Sequence, residues 1–130
     1  MIITKFRNFK EIEPLLSKDE SIDIVSCNTC ARVCKTGGQE GMEKVAKKLK
    51  DKEYKVDKMN LVPACCSVKL LKRFNYKSKT LIILACDAGT AALKHLFPKK
   101  KVICHLETIE NGFHTEKGEF ISVNHLSQVK

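Results

Sequence analysis

The run Thr80-Leu81-Ile82-Ile83-Leu84-Ala85 constrains the fold more than any other stretch of this chain. It holds no charge and offers no polar face to water, so it is a strand covered on both sides. Strands of that kind belong to the interior of a parallel sheet flanked by helices. A second β-branched run, Ser21-Ile22-Asp23-Ile24-Val25-Ser26, also reads as a buried strand. Each run ends at a cysteine, Cys86 and Cys27.

The remaining segments supply the connections. Residues 1–20 read as a lead-in strand and a short amphipathic helix from Phe9 to Leu16. From Gln39 to Lys50, Met42, Val45, Ala46 and Leu49 share one helical face. Tyr54 to Met59 alternates as a strand does, Ser67 to Phe74 and Ala91 to Phe97 read as helices, and Lys101 to His105 reads as a strand. Ile109 to Gly118 reads as loop, and Glu119 to Val123 as a final strand or extended tail. The order β-α-β-α-β-α-β with short connections predicts an α/β fold. The expected form is a three-layer Rossmann/flavodoxin-like sandwich on a mainly parallel sheet with right-handed crossovers. No repeat, low-complexity segment or linker interrupts residues 1–130, so one domain is expected. At 130 residues the chain is long enough to bury a core without disulfide staples.

Seven cysteines, an odd count, argue against a disulfide framework and for metal or redox chemistry. No apolar run approaches the roughly 20 residues of a bilayer span. The charged segment after Met1 has no apolar core of a secretory signal. A cytoplasmic protein without a membrane span is the expectation.

The cysteines fall where parallel sheets bind ligands, outside the carboxyl ends of the strands. Cys27 closes one strand and Cys86 follows another, while Cys65 and Cys66 precede a helix. The sharpest local signal is Cys27-x2-Cys30-x3-Cys34. A helix starting at Cys30 would put Cys34 one turn on and on the same face, with Cys27 folding back beside both. Three thiolates beside a helix N-terminus suit an iron–sulfur centre. A fourth ligand would come from Cys65, Cys66 or Cys86, with Cys104 and His105 more remote. The spacing suits a [4Fe-4S] cubane better than paired zinc knuckles, although four thiolates would also satisfy zinc. A radical S-adenosylmethionine site would show the reverse spacing. A thioredoxin-type Cys27/Cys30 pair leaves Cys34 without a role. Cys104, inside an apolar strand, reads as a buried thiol that packs as a small hydrophobe.

Other features carry less. His95, His114 and His125 read as surface or packing histidines. Asp87-Ala88-Gly89-Thr90 is either a ligand-contacting turn or the capped start of a helix. Gly37-Gly38 supplies backbone freedom after the cysteine loop, and no phosphate-binding fingerprint is present. The net charge of +9 attracts anionic partners, but it comes from 21 lysines and only three arginines, Arg7, Arg32 and Arg73. With eight aromatics and no Trp, nucleic-acid readout is not expected. A lysine-rich surface instead suits docking to an acidic protein face.

Three segments together carry a resemblance. Ile24-Val25-Ser26-Cys27-Asn28-Thr29-Cys30-Ala31-Arg32-Val33-Cys34-Lys35-Thr36-Gly37-Gly38, Val62-Pro63-Ala64-Cys65-Cys66 and Leu84-Ala85-Cys86-Asp87-Ala88-Gly89-Thr90 resemble the methylenetetrahydrofolate reductase C-terminal-like family. Glu107 to Phe113, followed by Gly118-Glu119, is similar to its C-terminal stretch. That family includes the iron–sulfur or zinc small subunit of the acetogen-type reductase. The resemblance implies an electron-transfer partner of a larger flavin-containing reductase in one-carbon metabolism, with flavin and folate held by the separate subunit. By position it implies Cys27, Cys30 and Cys34 as cluster ligands, with a fourth from Cys65, Cys66 or Cys86. Further ferredoxin-like cysteine motifs, common in full electron relays, are missing. The chain is therefore expected to be a minimal adaptor, or a stand-alone relative with another partner, and not catalytic alone. Two other readings stand beside this one: a zinc-stabilised docking module without redox activity, and an enzyme with Cys66 or Cys86 as nucleophile near Asp87.

Overall fold

A computed structural model describes residues 1–123, and His125 lies outside them. Four strands form an all-parallel sheet: β2 (Ser21–Cys27), β3 (Lys55–Val62), β4 (Thr80–Leu84) and β5 (Lys101–Cys104), in the spatial order β3-β2-β4-β5. The charge-free run and the β-branched run before Cys27 became the two inner strands. Every residue of β4 is buried, as is every residue of β2 after Ser21. The edge strands β3 and β5 alternate or are partly exposed, as strands with one open side do.

Between β2 and β3 runs α3 (Gly38–Asp51), whose buried face carries Met42, Val45, Ala46 and Leu49. Between β4 and β5 runs α5 (Asp87–Leu96). Two further helices are single turns, α2 (Cys30–Val33) and α4 (Val68–Leu71). The expected helix over Phe9–Leu16 is split into α1 (Phe9–Ile12) and a 3₁₀ turn (Glu13–Leu15), because Pro14 has no N–H to continue the α-helical ladder.

Asp23 is a carboxylate inside the core, and its surroundings explain why it is tolerated. Its side chain accepts from the amides of Lys58 (2.9 Å), Lys77 (2.7 Å) and Ser78 (2.9 Å) and from the Ser78 hydroxyl (2.8 Å). Lys58 gives its N–H to Asp23 where the β2–β3 register slips between Ile22 and Ile24. One buried acid thus ties β2 to β3 and to the approach of β4.

The segment read as loop after Ile109 is instead a strand. β6 (Leu106–His114) pairs antiparallel with β1 (Ile2–Phe6) on one side and β7 (Phe120–Ser122) on the other, a second sheet of order β1-β6-β7. Its main partner comes from the opposite end of the chain, so no local turn announces the pairing. Glu107, Glu110, Asn111 and Gly112 hide the weak alternation. Among the described residues, no helix is long and apolar enough to cross a membrane.

Candidate functional site

The register of the parallel sheet brings three chain segments level at its carboxyl edge. Cys27 stands opposite Val62, and Ser26 opposite Leu84. The residues that follow, from Asn28, Pro63 and Ala85 onward, therefore leave the sheet side by side. The strand order reverses between β2 and β4, so this edge is the topological switch point of the sheet.

A cavity of about 90 Å³ lies there. Cys27 and Cys30 line it from the first segment, Cys65 and Cys66 from the second, and Cys86 from the third. Ile2, Ala31 and Ala85 supply apolar wall, and Ala88 and Gly89 bring the first turn of α5 against it. Cys65 is buried, Cys66 is exposed, and Cys30 and Cys86 are half-buried. Five of the six cysteines singled out from the sequence thus share one cavity.

Cys34 does not line it. It caps α2, donating its amide to the Cys30 carbonyl, but α2 lasts one turn and Lys35 then takes a left-handed φ of 62°. The Cys34 thiol turns to the carbonyl of Ile2, 3.7 Å away. Cys104 stands apart as well, its thiol 3.2 Å from the Leu106 carbonyl and 3.5 Å from that of Ala85. His105 lies in a different pocket, and His95 and His114 are exposed. Among the described residues, no three cysteine, histidine or carboxylate side chains stand close enough to hold a single metal ion.

Cys27 is the electrostatic centre of the group. The Cys65 thiol donates to its sulfur, which pulls the Cys27 thiol from 9.0 down to about 5. Burial opposes the shift. The Thr29 hydroxyl, 3.0 Å away, and the amides of Cys65 and Thr29 support it. The Thr29 hydroxyl also lies 3.2 Å from the Pro63 carbonyl, so it reaches the sulfur from one side and the second segment from the other. Cys65 moves the opposite way. Donation to Cys27 first, then burial, then the nearby charges of Cys27, Cys66 and Cys86 hold its proton far above the ordinary range. The pair therefore carries one thiolate and one thiol at neutral pH.

Helix α5 contributes backbone. Its first intrahelical bond runs from the Thr90 amide to the Cys86 carbonyl, and the Asp87 amide donates to the Thr108 hydroxyl at 2.9 Å. The amides of Ala88 and Gly89 have no intrahelical partner, and both residues line the cavity. Gly89 is required by proximity. A Cβ there would stand 2.8 Å from the Ala85 Cβ and 3.0 Å from the Cys65 Cβ. Asp87-Ala88-Gly89-Thr90 is thus both the start of a helix and a wall of the site.

Gly89 lies in the turn singled out from the sequence, whereas Thr29 and Ile2 were not named as site residues. Thr29 sits inside the cysteine motif, where its position two residues after Cys27 is the available signal. Ile2 is brought in by the long-range β1–β6 pairing and has none. No protein-family model, curated protein or solved structure matches this chain.

Proposed function

We propose that this chain is a single-cluster iron–sulfur protein, an electron-transfer or accessory subunit working beside a larger flavin-containing reductase or another redox protein. The convergence of Cys27, Cys30, Cys65, Cys66 and Cys86 on one cavity carries the reading. Five soft sulfur donors from three segments fit a [4Fe-4S] group in donor type and number. Cys27, Cys30 and Cys65 would hold it with either Cys66 or Cys86, and Cys34 would join only by turning away from Ile2. Bound there, such a cluster supplies one-electron transfer.

The residues of the chain have definable tasks in that role. Cys27 offers a ready thiolate, so binding starts without removing its proton at neutral pH. The amides of Thr29 and Cys65 donate to that sulfur, and such N–H···S bonds raise a reduction potential by offsetting negative charge. Ile2, Ala31 and Ala85 keep one side of the site dry. The exposed Cys66 faces the side open to a partner.

Two further points belong to this reading. The order of the cysteine segments is similar to the methylenetetrahydrofolate reductase C-terminal-like family, which favours a small subunit in one-carbon metabolism. The strand order β3-β2-β4-β5, with a crossover on each side of β2, supports the three-layer Rossmann-like sandwich, and seven cysteines without a disulfide support a cytoplasmic setting.

One observation favours a second reading, a zinc-stabilised module that docks a partner through its lysines. A tetrathiolate zinc site needs neighbouring sulfurs about 3.8 Å apart, given Zn–S bonds of about 2.3 Å. Cys27 and Cys65, whose thiols shift one another in opposite directions, are the candidates for such neighbours. The convergence of thiols from three chain segments is the ground on which we favour the cluster.

Substitution tests the assignment. Cys30→Ala and Cys65→Ala, purified without oxygen, are expected to lose the visible absorbance of the cluster, and Cys104→Ala to keep it. Full absorbance in the first two variants would refute it.

A further inference from the structure

A second pocket, of about 180 Å³, is lined by Phe6 of β1 and by Lys44, Val45 and Lys48 of α3. Phe6, Phe9 and Val45 form its apolar wall, and Arg7, Lys44, Lys48 and His105 its polar one. Every charged group in that lining is cationic. Among the described residues Arg7, Lys44 and Lys48 form no ion pair with a carboxylate. The Lys44 ammonium stands 5.4 Å from the centre of the Phe6 ring and that of Lys48 4.9 Å from Phe9. Cation–π contact holds both lysines over the pocket wall, where an acidic partner would otherwise be expected.

His105 supplies the independent observation. It is 5% exposed, held between Phe6 and Phe9 at ring separations of 5.5 and 6.1 Å, and its Nδ1 has no hydrogen-bond partner. Buried ring nitrogens are ordinarily paired, and an unpaired one calls for a reason. Burial first, then the charges of Lys48 and Arg7, lower its pKa to about 4. The imidazole is therefore neutral at pH 7, with one nitrogen able to donate.

We propose that this pocket binds a small organic anion with a ring-sized apolar body, its charged group taken by Arg7, Lys48 and His105. About 180 Å³ equals roughly six waters at about 30 Å³ each, room for one ring and one carboxylate or phosphate. The shared chemistry is an apolar ring bearing an anionic group, and the carboxylate and phosphate arms of the test separate the two sources. The site uses none of the cavity-lining cysteines, so it stands or falls independently of the cluster.

The test is an NMR titration of the His105 imidazole in the full-length chain at pH 7, its signal assigned by loss in His105→Gln. The ligands are benzoate, phenyl phosphate, inorganic phosphate and benzyl alcohol. A saturable shift with benzoate or phenyl phosphate is expected, weakened about tenfold in Lys48→Ala and unchanged in Lys69→Ala. Loss of a charge-assisted contact accounts for that factor. Absence of a saturable shift with either ring anion would overturn the proposal, as would equal affinity for benzyl alcohol. Equal affinity for inorganic phosphate would overturn the apolar body, and an undiminished Lys48→Ala response would overturn the cationic recognition.

Discussion

Cys65 holds the Cys27 thiol at about 5, and the pairing of Cys27 with Val62 brings their two segments together at the sheet edge. Because β2 and β3 end in register, the Pro63-Ala64-Cys65 turn delivers a proton donor to the residue that closes the neighbouring strand. The consequence is an unusually acidic cysteine beside an unusually weak one. In reduced, metal-free protein one thiolate is expected to titrate near pH 5, followed by its ultraviolet absorbance. Cys65→Ala should move that midpoint up toward the ordinary cysteine range. A midpoint that stays near 5 would place the cause elsewhere.

The same pair sets a pH dependence of stability. A folded pKa lowered to about 5 means that the folded state binds fewer protons at Cys27 than the unfolded chain does. Its contribution is complete above the unfolded value near 9 and is lost as pH falls from 9 through 5. Cys65, shifted upward, contributes below 9 and loses that contribution as pH rises further. Denaturation of the metal-free protein is therefore expected to become harder from pH 5 toward 9 and easier above. Cys27→Ser should flatten the acid side of that profile.

Asp23 gives a test of the scaffold alone. Replacing it with Ala leaves the amides of Lys58, Lys77 and Ser78 without their acceptor inside the core. The expected loss is about 3 kcal/mol or more, read from a denaturant midpoint. A loss under about 1 kcal/mol would mean that the loop before β4 finds other partners.

Gly89 links the scaffold to the site. A Val there meets the Cβ atoms of Ala85 and Cys65 at the distances that already crowd a single added carbon. We expect about 1–3 kcal/mol of destabilisation and a shifted Cys27 titration, because Cys65 must yield. An unchanged titration would show that α5 moves and Cys65 does not.

Much of this was legible in the chain. The charge-free run at Thr80–Ala85 could be nothing but an inner strand, and its terminal position for Cys86, matched by Cys27, follows from parallel-sheet geometry. What stayed hidden depends on contacts distant in sequence. β6 is built by pairing with residues 2–6, and its Glu, Asn and Gly content masks the period-two pattern. Cys34 fits the motif by spacing, yet the helix carrying it ends after one turn and its thiol finds Ile2. Spacing gives the angle around a helix; it does not give the helix its length. Gly89 was legible as part of the turn after Cys86, but Thr29 matters through a hydroxyl whose partners no spacing reveals.

Iron and acid-labile sulfide, measured together on the full-length chain purified without oxygen, test the central claim most directly. The account predicts about four irons and a matching quantity of sulfide per chain, with the broad visible absorbance of a cubane. About one zinc per chain with no sulfide, or protein that takes up neither metal under reconstitution, would contradict it.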